Sequence, residues 1–151
     1  MVFGSLKKGH RFELEISKWL TKVTGVPFYR VPMSGAAFTV NNLDSLRGDI
    51  LTEAPAYKDL IFECKSYKKP VTLADINNPK SHLNEWIAQT KKEAGDKFWL
   101  LFFKANRGAT YLLVPSTDGL EYAKDDSLHI IFKACKGVCL TKEYMIFETN
   151  E

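Results

Sequence analysis

The sequence has no long hydrophobic segment. Its longest apolar runs, such as Phe98 to Phe103, are far shorter than the ~20 residues that a membrane-spanning helix needs. The N-terminal residues also lack the apolar core of a secretory signal peptide. We therefore expect a cytoplasmic, intracellular protein that has no membrane partner.

Cysteine and histidine are scarce, and neither is clustered. The chain has three cysteines, which form no C-x-x-C pair, and three scattered histidines. Structural zinc sites draw their Cys and His ligands from short, regular spacings. A zinc site is therefore not expected in this protein.

Linkers and low-complexity tracts are also absent. The chain has 151 residues, of which 45% are hydrophobic and 26% are charged, and these values are ordinary for a globular protein. A chain of this length can bury one core of its own. We therefore predict that residues 1–151 form a single domain.

A strong excess of charge of one sign is lacking too, because the net charge is only +3. The first 30 residues, however, contain six basic and two acidic residues. This local concentration of positive charge favours contact with a phosphate backbone, although a solvated helix face would carry the same residues. The six basic residues are Lys7, Lys8, Arg11, Lys18, Lys22 and Arg30.

Two strand-like runs joined by a turn carry the most distinctive pattern of charges. Ile61 to Lys65 is β-prone, and the alternation of a strand places Glu63 and Lys65 on one face, about 7 Å apart. A symmetric hairpin centred on Ala56 would pair Asp49 with Glu63. Two carboxylates are thus predicted to lie side by side on neighbouring strands.

Carboxylates opposed in this way repel each other, and a divalent cation would offset the repulsion. Mg²⁺ prefers oxygen ligands and is often held by one or two carboxylates together with phosphate oxygens. Lys65 would then face a phosphate and an attacking water, which suits metal-assisted phosphodiester hydrolysis. A plain cross-strand ion pair between Glu63 and Lys65 would explain the same residues without catalysis.

Asp49 followed by Glu63-x-Lys65 resembles the motif of the PD-(D/E)xK nuclease superfamily. The run K-G-H-R-F-E-L-E from Lys8 to Glu15 and the run Y-R-V-P-M-S-G from Tyr29 to Gly35 are similar to segments of the archaeal-type Holliday junction resolvases. This resemblance implies an α/β fold, in which helices flank a restriction-endonuclease-like mixed β-sheet.

The resemblance covers a core of about residues 6–115 and leaves about 116–151 as a C-terminal extension. It implies a Mg²⁺-dependent endonuclease, in which Mn²⁺ can substitute, that resolves four-way DNA junctions in recombination and repair. Two symmetric cuts in such a junction call for a two-fold homodimer.

The resemblance to the resolvases also implies roles for individual residues that match positions of the family motifs. The resemblance makes Glu13, Asp49 and Glu63 metal ligands, Lys65 the group that orients or activates water, and Ser34 an active-site serine. The DNA-binding candidates are Lys7, Lys8, Arg11, Arg30, Arg47, Lys68, Lys69 and Gln89.

Apolar periodicity predicts helices over residues 6–24 and 80–94, with the strands in the order αβββαββ. In the C-terminal extension, two further apolar runs read as strands. The predicted strands outside the central hairpin are Phe28–Val31, Phe98–Phe103, Thr110–Val114, Leu128–Phe132 and Tyr144–Phe147.

Two alternative functions fit the same residues. One is a PD-(D/E)xK nuclease that acts on duplex, flap or damaged DNA in restriction or repair, although the sequence has no clear groove-reading element. The other is a non-catalytic nucleic-acid-binding module. The presence of Glu13, Asp49 and Glu63 together with Lys65 argues against a non-catalytic module.

Overall fold

The structure is a computed structural model that describes residues 2–31, 48–66, 71–104, 108–116 and 126–150. Its helices are α1 (Val2–Thr24), α2 (His82–Ala94) and α3 (Asp126–Lys133), with a short 3₁₀ helix at Leu73–Asn77. Its strands are β1 (Tyr29–Arg30), β2 (Ile50–Leu51), β3 (Ile61–Lys65), β4 (Trp99–Lys104), β5 (Thr110–Pro115), β6 (Cys135–Leu140) and β7 (Tyr144–Thr149).

The strands form one mixed seven-stranded sheet in the order β1-β2-β3-β4-β5-β7-β6. Only the pairing of β3 with β4 is parallel among the described strands, and the other neighbours are antiparallel. Parallel neighbours need a crossover connection, and α2 lies within this one. The α/β fold with a mixed sheet between helices, and the order αβββαββ, are confirmed.

The spacing of apolar residues and the residues that cap the helix ends explain where the two long helices form. Phe12, Ile16 and Leu20 are buried along one side of α1, and Gly25 ends the helix with φ +78°. At the start of α2, Ser81 Oγ accepts a hydrogen bond from the backbone N–H of Asn84, 3.2 Å away. Both helices were predicted from periodicity, and α1 begins earlier than expected.

The two helices cover opposite faces of the sheet. The side chains of α1 and α3 pack in a cluster with Phe62 and Cys64, whereas those of α2 pack in a second cluster with Ile61. Neighbouring strand residues point to opposite faces, so Glu63 lies on the α2 side with Ile61. β4 contributes side chains to both clusters, as expected of a strand buried on both faces.

The prediction of a strand over Leu128–Phe132 is wrong, because this segment lies within α3. Leu128, Ile131 and Phe132 are buried at helical spacing, while Ile130 is exposed. The sheet is instead extended by β7, which pairs with β5, and by β6, which was not predicted. In the parts that the structure describes, the C-terminal extension therefore adds two strands and one helix to the fold.

The described helices include none that is both long enough and apolar enough to span a membrane. Residues 32–47, between β1 and Gly48, lie outside the described residues.

Candidate active site

The central hairpin has the predicted register. Ile50 pairs with Phe62, which is the pairing of a hairpin centred on Ala56. The backbone N–H of Asp49 donates to the Phe62 carbonyl, and the backbone N–H of Cys64 donates to Asp49 Oδ2, each over 2.8 Å. Asp49 is therefore fixed against β3, beside Glu63.

Gly48 allows the backbone to make this approach. Its φ is +89°, and a Cβ on it would lie 2.8 Å from the Phe62 carbonyl oxygen. A side chain at this position would be strained by its φ and would also collide with β3. The glycine before Asp49 is thus part of how the carboxylate is placed.

Glu63 is a buried carboxyl group with like-charged neighbours. Its relative exposure is 4%, and Oε1 has no hydrogen-bond partner among the residues that the structure describes. Burial, then the carboxyl groups of Glu93 and Asp49, raise the pKa of Glu63 to about 11. In the metal-free protein, this group is therefore protonated at neutral pH.

Glu93 is a site residue that the sequence reasoning missed. It lies in the last turn of α2, and its carboxyl group contributes to the raised pKa of Glu63. Gln89, the residue predicted on this helix, is exposed one turn earlier. Glu93 follows Gln89 by four residues, and residues four apart lie on the same face of a helix. A prediction that Gln89 faces the site could therefore have included Glu93.

Glu13 approaches from α1 and has a relative exposure of 9%. Arg30 Nε donates a hydrogen bond to Glu13 Oε2 over 3.3 Å. Burial and the charge of Asp49 raise the pKa of Glu13, while Arg30 and Lys65 act in the opposite direction. Glu13, Arg30, Asp49 and Lys65 thus share one electrostatic neighbourhood.

Residues 4–151 match the model of a family described as "Phage putative PDDEXK endonuclease". The chain belongs to this phage PD-(D/E)xK endonuclease family. It is also 31% identical over 124 residues to Protein D14 of Escherichia phage T5, and the alignment covers 78% of this chain and 75% of that protein. No solved structure matches the chain.

Membership of this family supports the PD-(D/E)xK superfamily but does not single out the archaeal-type Holliday junction resolvases. The family match also runs through residues 116–151, beyond the core of about 6–115 that the resolvase resemblance covers. The tail that builds β6 and β7 is therefore part of the phage endonuclease family pattern.

The carboxylates at this site are the type of ligand that a hard divalent cation prefers. Glu13, Asp49 and Glu63 offer carboxylate oxygens, and the buried Glu63 Oε1 has no hydrogen-bond partner among the described residues. Within the described ranges, no three acidic, His or Cys side chains are arranged as a complete metal-binding group. The fit therefore rests on the type of ligand and on the unpartnered oxygen.

The remaining predicted residues divide into two groups. Lys7, Lys8 and Arg11 belong to α1, on which Arg11 is exposed, and the side chains of the two lysines lie outside the description. The predicted serine and three predicted DNA-binding cations lie outside the described residues altogether. These are Ser34, Arg47, Lys68 and Lys69.

Proposed function

We propose that this member of the phage endonuclease family is a Mg²⁺-dependent, structure-selective nuclease that cuts four-way DNA junctions inside the cell as a homodimer. The observation that supports the metal-dependent part is the buried Glu63 carboxyl group, whose Oε1 has no hydrogen-bond partner among the described residues. Glu63 lies beside Asp49, in a strand that continues to Lys65. A carboxyl pair held so close together suits a cation more than a folding role.

Asp49, Glu63 and Glu13 would hold the metal, and Mn²⁺ would substitute for Mg²⁺. A bound divalent cation supplies Lewis-acid polarisation of the scissile phosphate and a water of lowered pKa. The hydrogen bond from Cys64 N–H orients Asp49, and the one from Arg30 orients Glu13. These contacts keep the carboxylates in place before substrate binds.

Lys65 has a different role in the proposal. It ends β3 and is half-buried, and its charge acts on Glu13. An ammonium group at this position can donate to the attacking water or to a phosphate oxygen, where negative charge develops. Lys65 therefore orients the reactants and is not a metal ligand.

The junction substrate and the homodimer are supported by the resemblance of the N-terminal runs to the resolvases. The pairing of Arg30 with Glu13 links those two runs in space. The second candidate, a nuclease acting on duplex, flap or damaged DNA, shares the same carboxylates and lysine. Light scattering of the protein alone and with a junction tests the dimer.

Cleavage of matched DNA substrates separates these functions. A synthetic four-way junction, a linear duplex and a flap of the same sequences are each incubated with Mg²⁺, with Mn²⁺ and with EDTA. The proposal predicts preferential cleavage of the junction with either metal and none with EDTA. Equal cleavage of duplex or flap would favour the second candidate, and binding without any cleavage would favour a non-catalytic module.

A further inference from the structure

The outward side of α1 carries a row of basic residues. Arg11, Lys18 and Lys22 are exposed, and they follow one another at intervals of seven and four residues. At 3.6 residues per turn, this spacing places all three within about 40° of one another around the helix and along about 16 Å of its axis. We call these three residues the α1 basic row. Arg11 was expected to bind DNA, whereas Lys18 and Lys22 were not among the DNA-binding candidates.

The acidic residues of α1 do not neutralise this row. The helix has two of them, Glu13 and Glu15, and each is paired with a cation from another element. Glu13 Oε2 lies 3.3 Å from Arg30 Nε, and Glu15 Oε2 lies 3.2 Å from Lys104 Nζ at the end of β4. In the part of the chain that the structure describes, the α1 basic row has no ion-pair partner. Its positive charge is therefore free to attract an anionic partner.

The α1 basic row lies on the far side of the helix from the candidate active site. Glu13 is buried, and it lies about 140° to 180° around the helix from the three cations. The body of the helix, about 10 Å across, separates the row from the carboxylates. A DNA duplex stays straight over far more than this distance, because its persistence length is about 150 base pairs. One straight duplex therefore cannot contact the carboxylates and the row together.

Charge decides which partner fits the row. A second copy of the chain that docked through the same face would bring like charges together, which is unfavourable. Duplex DNA carries one negative charge per about 1.7 Å of its axis, so it presents about ten phosphates over the length of the row. A phosphate backbone is therefore the complementary partner.

We propose that the α1 basic row binds the phosphate backbone of a second duplex arm, while the active site holds the arm that is cut. This inference rests on the proposed function and adds a second DNA-binding surface to it. A branched molecule directs its arms differently and can occupy both surfaces at once, which raises its affinity above that for either surface alone. The row thus helps the protein to select branched over linear DNA.

The salt dependence of DNA binding tests the proposal without any measurement of activity. Fluorescence anisotropy gives the affinities for a four-way junction and for a linear duplex of the same sequences, in EDTA and at several NaCl concentrations. The test variant combines Lys18→Gln with Lys22→Gln. The matched control combines Lys58→Gln with Lys142→Gln, which removes the same charge from exposed positions on the hairpin and after β6.

For the junction, the test variant should lower the salt slope of log affinity by about 0.9 for each lysine removed, and the control should leave the slope unchanged. For the linear duplex, the test variant should lower the slope by less. An unchanged slope for the junction would overturn the inference, and Mg²⁺-dependent cleavage of the junction by the unmodified protein would still support the proposed function. Equal changes for junction and duplex would overturn the assignment of the row to a second arm. The expected slopes in a protein that cleaves no DNA would instead overturn the proposed nuclease and keep the row as a DNA contact.

Discussion

The backbone N–H of Cys64 donates a 2.8 Å hydrogen bond to Oδ2 of Asp49. Cys64 lies between Glu63 and Lys65 on β3, so this bond fixes the first acid of the motif against the strand that carries the other two charged residues. The Cys64 side chain meanwhile packs in the core on the α1 side. One strand thus anchors the site in the core and presents its charges on the opposite face.

Glu63→Gln should stabilise the metal-free protein and weaken its binding of Mg²⁺. The substitution replaces a buried carboxyl group, which must take up a proton on folding at neutral pH, by a neutral amide of the same size, and it opens no cavity. Urea unfolding in EDTA and calorimetric titration measure the two effects. Glu53→Gln is the control, since Glu53 is exposed on the same hairpin, and it should change neither quantity.

The stability of the metal-free protein should fall as pH rises. The folded state keeps the Glu63 proton to a higher pH than the unfolded chain, so folding takes up a proton between about 4.5 and about 11. The stability that this proton contributes is fully present below about pH 4.5 and is lost as the pH rises to about 11. The free energy of unfolding falls by no more than about 1.4 kcal/mol per pH unit in this range. Urea unfolding at about pH 6 and about pH 8 should show a steeper fall for the unmodified protein than for Glu63→Gln.

The sequence was sufficient to predict the hairpin and the two long helices. The turn centred on Ala56 fixes the register, because a slip of one residue would turn Phe62 and Cys64 out of the core. Apolar residues recur at helical spacing over several turns of α1, so the sequence predicts this helix clearly. By contrast, the short apolar run from Leu128 to Phe132 fits a strand or a helix equally well, and its packing against α1 decides in favour of a helix.

The sequence reasoning missed Glu93 for a related reason. Its contact with Glu63 joins two elements that are remote in sequence, and that contact depends on where α2 crosses the sheet. The partnership of Arg30 with Glu13 is similar, because β1 and α1 meet only in the folded protein. Motif spacing locates residues on an element, whereas tertiary packing decides which elements share a site.

Lys65→Ala should abolish cleavage while leaving Mg²⁺ affinity within about threefold of the unmodified protein, because Lys65 orients reactants and is not a metal ligand. Single-turnover experiments measure the cleavage rate, and calorimetric titration measures the Mg²⁺ affinity. Lys58→Ala is a matched control on an exposed part of the hairpin. A variant that unfolds more easily but still cleaves would show that Lys65 merely neutralises Glu63.

Arg30→Ala and Lys8→Ala should differ in one measurable respect. Loss of either cation from a DNA-facing surface should lower the salt slope of log affinity by about one. Lys8→Ala should leave the saturated cleavage rate unchanged within about tenfold. Arg30→Ala should also lower that rate at acidic pH, because loss of the guanidinium raises the pKa of Glu13 further. Equal rates for the two variants would confine Arg30 to DNA binding.

Gly48→Ala should destabilise the protein by more than the roughly 1–2 kcal/mol that a left-handed backbone conformation costs other residues. The additional loss comes from the approach of its Cβ to the Phe62 carbonyl oxygen at 2.8 Å. Gly25→Ala is the control, because Gly25 has φ +78° but no atom within 4 Å of its Cβ position. Urea unfolding of the two variants separates the collision from the backbone strain.

The most direct test of the metal-dependent nuclease centre is the single-turnover cleavage rate of a four-way junction at saturating enzyme, measured against Mg²⁺ concentration for the unmodified protein, Glu63→Gln and Glu53→Gln. We predict that the unmodified protein and Glu53→Gln cleave with the same Mg²⁺ dependence. We predict that Glu63→Gln binds the junction but does not cleave it at any Mg²⁺ concentration. Cleavage by Glu63→Gln at the unmodified rate would contradict the assignment of Glu63 to the metal.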